Sequence, residues 1–214
     1  MAKAIATLDV LSGGRVNLSV GVGHAVKEFK ILGLPFNKRG KMTDEALEVV
    51  KLCWADKEPV FKGEFFHIDG VAFEPQPVQQ PRPPFFFGGN SPAALRRAAR
   101  HEGWHPNPTT LQATDIKEPL DYIRSQSDFA GKEKTFEVYF GLGGMGFGNF
   151  NTYNPFGTLS AGELGGLRDR LHEAIGVLAD HGVTTTSIPM LPTRSVAEYL
   201  DCLRWIAQDV IAGR

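Results

Sequence analysis

Extended apolar runs alternate with capped amphipathic segments along almost the whole of this 214-residue chain. That alternation constrains the fold more than any other feature, because a repeated strand-then-helix unit produces a parallel sheet with helices laid against it. Residues 2–11 read as a leading helix, with Ile5, Leu8 and Leu11 on one stripe and Ser12-Gly13-Gly14 as the stop. Arg15 to Gly23 then alternates strictly. Val16, Leu18, Val20 and Val22 share one face, and Asn17, Ser19, Gly21 and Gly23 the other, which is the period of a strand. Thr43 to Ala55 is predicted helical, with Thr43 as cap and Ala46, Val49, Val50, Cys53 and Trp54 as the apolar stripe. Pro84 to Gly88 is a short buried strand, and Ser91-Pro92 opens a helix through His101, serine as cap and proline at the first helical position.

Further along, Gly103-Trp104-His105 is extended, 115–127 is a helix and Thr135 to Phe140 a strand. Ser160 to Glu163 forms a capping box for a long helix striped by Leu164, Leu167, Leu171, Ile175 and Leu178, stopped at Gly182. Val183 to Met190 is the last strand, and the box Ser195 to Glu198 opens a C-terminal helix reaching Ala212. Five strand-to-helix units after a leading helix suit two architectures. One is an open, doubly wound sheet, and the other is five-eighths of a (β/α)8 barrel, which takes about 250 residues. The small, polar second face of Arg15–Gly23 leans towards the barrel, since a sheet covered on both sides favours apolar residues on both.

Three segments fall outside the repeat. Val60 to Ile68 reads as a hairpin turning at Gly63, and Pro75 to Pro84, with five prolines, must run extended into the next strand. Gly141 to Pro155 opens on a glycine-rich run and is either a surface loop or a ligand-facing lid.

Charge and composition remove several classes of function. With 23 basic and 24 acidic side chains the formal charge is −1, without the basic excess of a nucleic-acid binder. No apolar run approaches the roughly 18 residues of a membrane span, and Met1-Ala2-Lys3-Ala4 does not open a secretory signal. Cys53 and Cys202 read as two buried thiols of a reducing compartment, with a disulfide or metal pair as the alternative. A cytoplasmic protein is expected.

Chemistry gathers at two glycine-bearing turns. Gly21-Val22-Gly23 closes one strand, and Gly88-Gly89-Asn90-Ser91-Pro92 closes another before a capped helix whose free amides suit a phosphate. Each alone is also an ordinary strand-to-helix turn. Ligands of parallel α/β proteins bind at the strands' carboxyl ends, so the two reinforce each other and are expected side by side around one ligand. Of the six histidines, His24 and His105 follow strand ends, whereas His172 and His181 are expected on a solvated helix face. No pair has zinc-ligand spacing, and neither a GxSxG serine nor a nucleophilic cysteine setting is present, so an enzyme with this inventory relies on a cofactor.

Taken together, several runs resemble the luciferase-like oxidoreductases, which include bacterial luciferase, alkane sulfonate monooxygenases and coenzyme F-420 (deazaflavin) enzymes. They are Ala2 to Val16, Gly21-Val22-Gly23, Glu28-Phe29, Arg39-Gly40, Glu45, Leu47 and Trp54, and the hairpin Phe61 to Phe66. Pro75 to Gln79, Pro83 to Gly89, Arg96 to Ala99 and Gly103 to Pro106 continue the pattern, most like the F-420 branch. The resemblance is dense to about residue 108 and thinner beyond. It implies one domain over residues 1–214 with a (β/α)8 barrel fold, entered at the helix before the fourth strand. The first three strands then have no counterpart, and sheet edges would stay exposed unless another chain covers them; a shortened gene product, a misplaced start and a half completed by a partner are the alternatives, and a homodimer is the expected assembly.

The resemblance also implies site residues. Gly21, Val22, Gly23 and His24 would line the isoalloxazine, the backbone of Gly88, Gly89, Asn90 and Ser91 would meet the ribityl phosphate, and Gly103 and Trp104 would lie beside them. His24 stands where tryptophan or glutamate is common in the family and is the one candidate catalytic residue. The implied activity is hydride transfer through F-420 to or from a small organic substrate. An FMN-dependent monooxygenase is the alternative within the family, and a non-catalytic, dimerising half barrel the alternative outside it.

Overall fold

The computed structural model describes residues 1–108, 110–142, 167–188 and 195–211. They form two compact units, residues 1–88 and 89–214, each described by itself.

In the first unit, α1 (Ala2–Ser12) ends on Gly13 in the left-handed conformation, φ 66°, as the Ser-Gly-Gly stop predicts. Its buried face differs from the expected stripe. Ile5, Ala6 and Asp9 are buried, while Leu8 and Leu11 are 55% and 78% exposed. The reason is Asp9, whose fully buried carboxylate accepts the backbone N–H groups of Val78 (2.8 Å) and Gln79 (3.0 Å) and the Gln79 side-chain amide (2.7 Å). That bond set turns the helix towards the proline-rich segment and its leucines outward. Gln79 also donates to the Val16 carbonyl at 2.8 Å, tying the same segment to the chain just before β1 (Leu18–Val20). The hydrogen-bonded strand is shorter than Arg15–Gly23, yet burial alternates over all of those residues: Val16, Leu18, Val20 and Val22 are half-buried and their neighbours exposed.

A short helix, α2 (Val26–Ile31), precedes α3 (Arg39–Ala55). Thr43 does not cap α3. The helix begins a turn earlier, and the Thr43 hydroxyl donates back to the Arg39 carbonyl at 2.9 Å, the intrahelical alternative open to threonine. Leu47, Val49, Val50, Cys53 and Trp54 are buried, much as the stripe predicts. The hairpin is present as β2 (Phe61–Lys62) antiparallel to β3 (His67–Ile68). Its turn is fastened by the Glu45 carboxylate, which accepts the amides of Glu64, Phe65 and Phe66 at 2.8–3.0 Å. A Cβ on Gly63 would run into that carboxylate and the Phe61 ring, so a larger residue there would push Glu45 off the turn it fastens. β4 (Phe85–Gly88) runs parallel to β1, with Leu18 beside Phe85 and Val20 beside Phe87. Its three phenylalanines are at most 4% exposed.

The second unit opens with α4 (Pro92–Arg100), where Ser91 caps by accepting the Ala94 amide and Pro92 stands in the first turn, as predicted. β5 (Gly103–His105) follows, then α5 (Lys117–Arg124), shorter than 115–127 because single 3-10 turns flank it. β6 (Glu137–Val138) pairs parallel with β5, so Thr135–Phe140 is strand only at its centre. α6 (Leu167–Asp180) buries Leu171, Ala174 and Leu178 and ends before Gly182 at φ 90°. Residues 183–188 make a single parallel bridge, Thr185 to Tyr139, in place of a continuous strand. α7 (Val196–Trp205) starts from Ser195, which accepts the Glu198 amide as its capping box predicts, and passes into a π-helical stretch, Ile206–Ile211. The box at Ser160–Glu163, Leu164, Pro189, Met190, Ala212 and most of the Gly141–Pro155 loop lie outside the described residues. Parallel pairing in both units agrees with the predicted α/β class.

Candidate active site

Two turns and one sheet face carry the groups suited to a ligand. In the first unit, β1 runs out into Gly21-Val22-Gly23-His24. Gly21, Gly23 and His24 are exposed and Val22 half-buried. Gly23 has φ 79°, and a Cβ there would meet the Phe29 ring at 2.9 Å, so the turn is shaped by sterics on α2. None of these four residues forms a hydrogen bond with another described residue.

In the second unit the turn between β4 and α4 is built differently. Gly89 has φ 109°, and a Cβ would sit 3.2 Å from that of Ala94, which keeps the backbone open above the helix start. Its amide donates to the His105 carbonyl at 3.2 Å, and its carbonyl accepts the Trp104 indole N–H at 2.9 Å. Trp104 is fully buried, so its indole holds the corner from behind, and Gly103 is buried beside it. Asn90 uses its whole side-chain amide. Its oxygen accepts the Asn107 N–H, and its nitrogen donates to the Asn107 carbonyl and the Thr110 hydroxyl, each at 2.8 Å. Gly89 and Asn90 thus spend those groups on bracing the turn against residues 105–110. Pro92 has no N–H, the Ala94 amide is held by the Ser91 hydroxyl and the Leu95 amide by the Ser91 carbonyl, so the Ala93 N–H is the amide of the first turn of α4 left without an intrahelical partner. That turn contains no acidic residue, leaving its positive dipole end available to an anion.

The sheet face was not anticipated. From Glu137 the chain alternates, with Val138, Phe140 and Leu142 about 1% exposed and Glu137, Tyr139 and Gly141 half-buried. The register places Gly103 beside Glu137 and Trp104 beside Val138, so His105 falls on the same side as Glu137 and Tyr139. The His105 and Tyr139 rings meet edge to face with centroids 4.5 Å apart. Thr185, bridged to Tyr139, donates its hydroxyl to Glu137 Oε2 at 2.7 Å, and Ser187 Oγ lies above Gly141. Burial holds the His105 imidazole below its ordinary value of 6.5, so it is neutral at pH 7. The sequence signal was the polar–apolar alternation Glu137-Val138-Tyr139-Phe140-Gly141-Leu142.

His172 is exposed as expected. His181 is not: it is half-buried, with Nδ1 2.8 Å from the Val177 carbonyl one turn back. Cys53 and Cys202 are free, buried thiols. Among the described residues no group of three His, Cys, Asp or Glu side chains could hold a metal ion, and no helix is long and apolar enough to cross a membrane.

A model of the luciferase-like monooxygenase family matches residues 1–145. An uncharacterized protein of Mycobacterium tuberculosis is 34% identical over 139 residues, 65% of this chain and 47% of the relative. An FMNH(2)-dependent dimethylsulfone monooxygenase of Pseudomonas putida is 32% identical over 130 residues, 59% of this chain and 35% of the relative. The matches thus span half or less of the length of these curated relatives. Among solved structures, the coenzyme F-420 dependent tetrahydromethanopterin reductase of Methanopyrus kandleri superposes with a TM-score of 0.68 at 18% identity, over 99% of this chain and 78% of that one. The likeness decides between the two architectures left open above: the fold is of the (β/α)8 barrel type, with β1, β4, β5 and β6 as its described strands.

Proposed function

Because this chain belongs to the luciferase-like monooxygenase family, we propose that it is an oxidoreductase that binds a flavin-type cofactor, coenzyme F-420 first and FMN second, and acts on a small organic substrate. The observation that carries the proposal is the braced β4–α4 turn, which lies inside the family match. An open glycine corner, a serine cap and a first helical turn free of acidic side chains fit a cofactor that ends in phosphate. In this reading the backbone of Gly88, Gly89, Asn90 and Ser91 forms the phosphate end, with Gly103 and Trp104 supporting it. Gly21, Val22, Gly23 and His24 line the ring portion. Hydride transfer is the chemistry the cofactor supplies when bound. His24, exposed on its turn, is the candidate to hold or move a proton.

FMN is kept as the second reading because the Pseudomonas putida relative, at 32% identity, is named for it. A single domain over residues 1–214, a homodimer and a cytoplasmic location complete the proposal, and sedimentation of the purified chain tests the dimer. The deciding experiment titrates F-420, FMN and riboflavin into the folded chain and follows quenching of the cofactor's own emission. One of the two phosphorylated cofactors should bind well below millimolar and, if it is FMN, more tightly than riboflavin. A folded chain that takes up neither at millimolar concentration rules the enzyme reading out.

A further inference from the structure

The polar face of the second unit's sheet has a definite chemical character. Its described positions are Gly103 and His105 on β5, Glu137, Tyr139 and Gly141 on and beyond β6, and Thr185 and Ser187 on the bridged segment. None of these positions carries lysine or arginine. The alternate residues Trp104, Val138, Phe140 and Leu142 are buried on the other side, so this face is the side on which a ligand would rest. His105 and Tyr139 lie at the carboxyl ends of parallel strands, where ligands of such sheets bind. Gly103 and Gly141 bring no side chain to this face, and Ser187 Oγ closes over Gly141.

Consider what the face asks of a partner. A carboxylate is acceptor-only, and Thr185 satisfies just one of the Glu137 oxygens with a donated hydroxyl. Neutral imidazole and phenol can each accept or donate one hydrogen bond but add no positive charge. An anion placed here meets a carboxylate in a half-buried setting with no lysine or arginine among the described positions of the face, whereas an O–H or N–H group meets acceptors.

We propose that this face is a small-molecule binding wall that takes neutral or cationic molecules bearing an O–H or N–H donor and turns away carboxylates and sulfonates. Calling that molecule the substrate rests on the oxidoreductase reading; the binding preference itself does not. Tyr139 and His105 form the aromatic floor, and Glu137, held in place by Thr185, is the specificity-determining group.

Three probes of one skeleton test it: cyclohexylamine, cyclohexanol and cyclohexanecarboxylate, titrated at pH 7 into the isotopically labelled full chain and followed by backbone amide shifts. The amine and the alcohol should each bind at least about tenfold more tightly than the carboxylate, the penalty expected of like charges a few ångströms apart away from bulk water. The shifts should fall on residues 103–105, 137–141 and 185–187. Glu137→Gln keeps the shape and a group that Thr185 can donate to. It should bring the carboxylate within about twofold of the alcohol and abolish any preference for the amine. Tyr139→Phe, which retains the ring against His105, should weaken the alcohol without changing the order of the three and serves if Glu137→Gln fails to fold.

Equal or tighter binding of the carboxylate by the wild-type chain overturns the proposal. So does an unchanged ranking in Glu137→Gln, a changed ranking in Tyr139→Phe, or binding by none of the probes. Titrating F-420 and FMN into the same sample separates the two readings. Cofactor uptake with no response at the wall defeats this inference alone. The ranked response with no cofactor uptake defeats the oxidoreductase reading and leaves the wall as a binding site.

Discussion

The two glycine turns look alike in sequence but are held by different means. Gly21–His24 is exposed, takes its shape from Gly23 against Phe29, and makes no hydrogen bond with another described residue. Gly88–Ser91 is tied to Trp104, His105, Asn107 and Thr110 by five hydrogen bonds: two donated and one accepted by the Asn90 side chain, one donated by the Trp104 indole and one accepted by the His105 carbonyl. A glycine-rich turn therefore does not announce its own rigidity. Rigidity comes from neighbours reaching across, here residues 104–110, which the local motif does not include. A braced turn suits recognition of a fixed, charged group, while an unbraced one suits contact with a flat ring that fixes it in turn.

Substitutions that strip either kind of support should separate the two turns, and the largest effect belongs to the braced one. Trp104→Ala empties a fully buried site and removes the donor to Gly89, so it should cost about 3–5 kcal/mol in denaturant unfolding. A loss below 1 kcal/mol would mean that the indole supports nothing. Asn90→Ala removes three bonds at partly exposed positions and should cost about 2 kcal/mol. It should also weaken FMN several-fold while leaving riboflavin unchanged; equal weakening of both would detach the brace from the phosphate. Gly23→Ala forces a side chain into positive φ and against the Phe29 ring, so it should cost at least about 1–2 kcal/mol, of which shortening Phe29 to leucine should relieve the ring contact and leave the backbone strain.

Acidity offers a subtler contrast. His105, whose carbonyl braces Gly89, has an imidazole held below 6.5 by burial. The unfolded chain therefore binds more protons than the folded one as pH drops past that value, and stability present above about 6.5 is lost towards the lower folded value. Denaturant midpoints measured between pH 8 and 5 should decline in the wild-type chain more steeply than in His105→Gln. The smallest effect is expected on the other turn. His24→Ala should change stability by less than about 0.5 kcal/mol, since the side chain is exposed, and a larger loss would reveal a contact at that turn that its exposure does not suggest.

Much of this architecture was legible because some residues act locally. Ser91 and Ser195 cap the helices they precede, and Gly13 and Gly182 sit at positive φ where helices stop. The alternation from Arg15 to Gly23 appears directly in burial. Residues that act at a distance were not legible. Asp9 reads as a polar position on a leucine-striped helix until its partners at 78 and 79 are known, and those partners, not Leu8 and Leu11, decide which way α1 faces. Thr43 fails as a cap because a threonine hydroxyl is equally served by the carbonyl four residues back. The turn motifs identified the candidate site but not its supports. The polar face was written in the 137–142 alternation, yet it acquires meaning only once β5 and Thr185 bring His105 and a hydroxyl alongside.

The Asp9 fastening also bears on how this chain tolerates handling at its amino end. Helical termini are common places to trim or to append purification tags. Here, clipping nine residues would delete the carboxylate that anchors the amides of Val78 and Gln79, close to seventy positions downstream. The proline-rich approach to the three buried phenylalanines of β4 would be left with the Gln79 bond to the Val16 carbonyl in place of the whole Asp9 set. Protease nicks around residue 80 should be the earliest sign of damage done at residue 1.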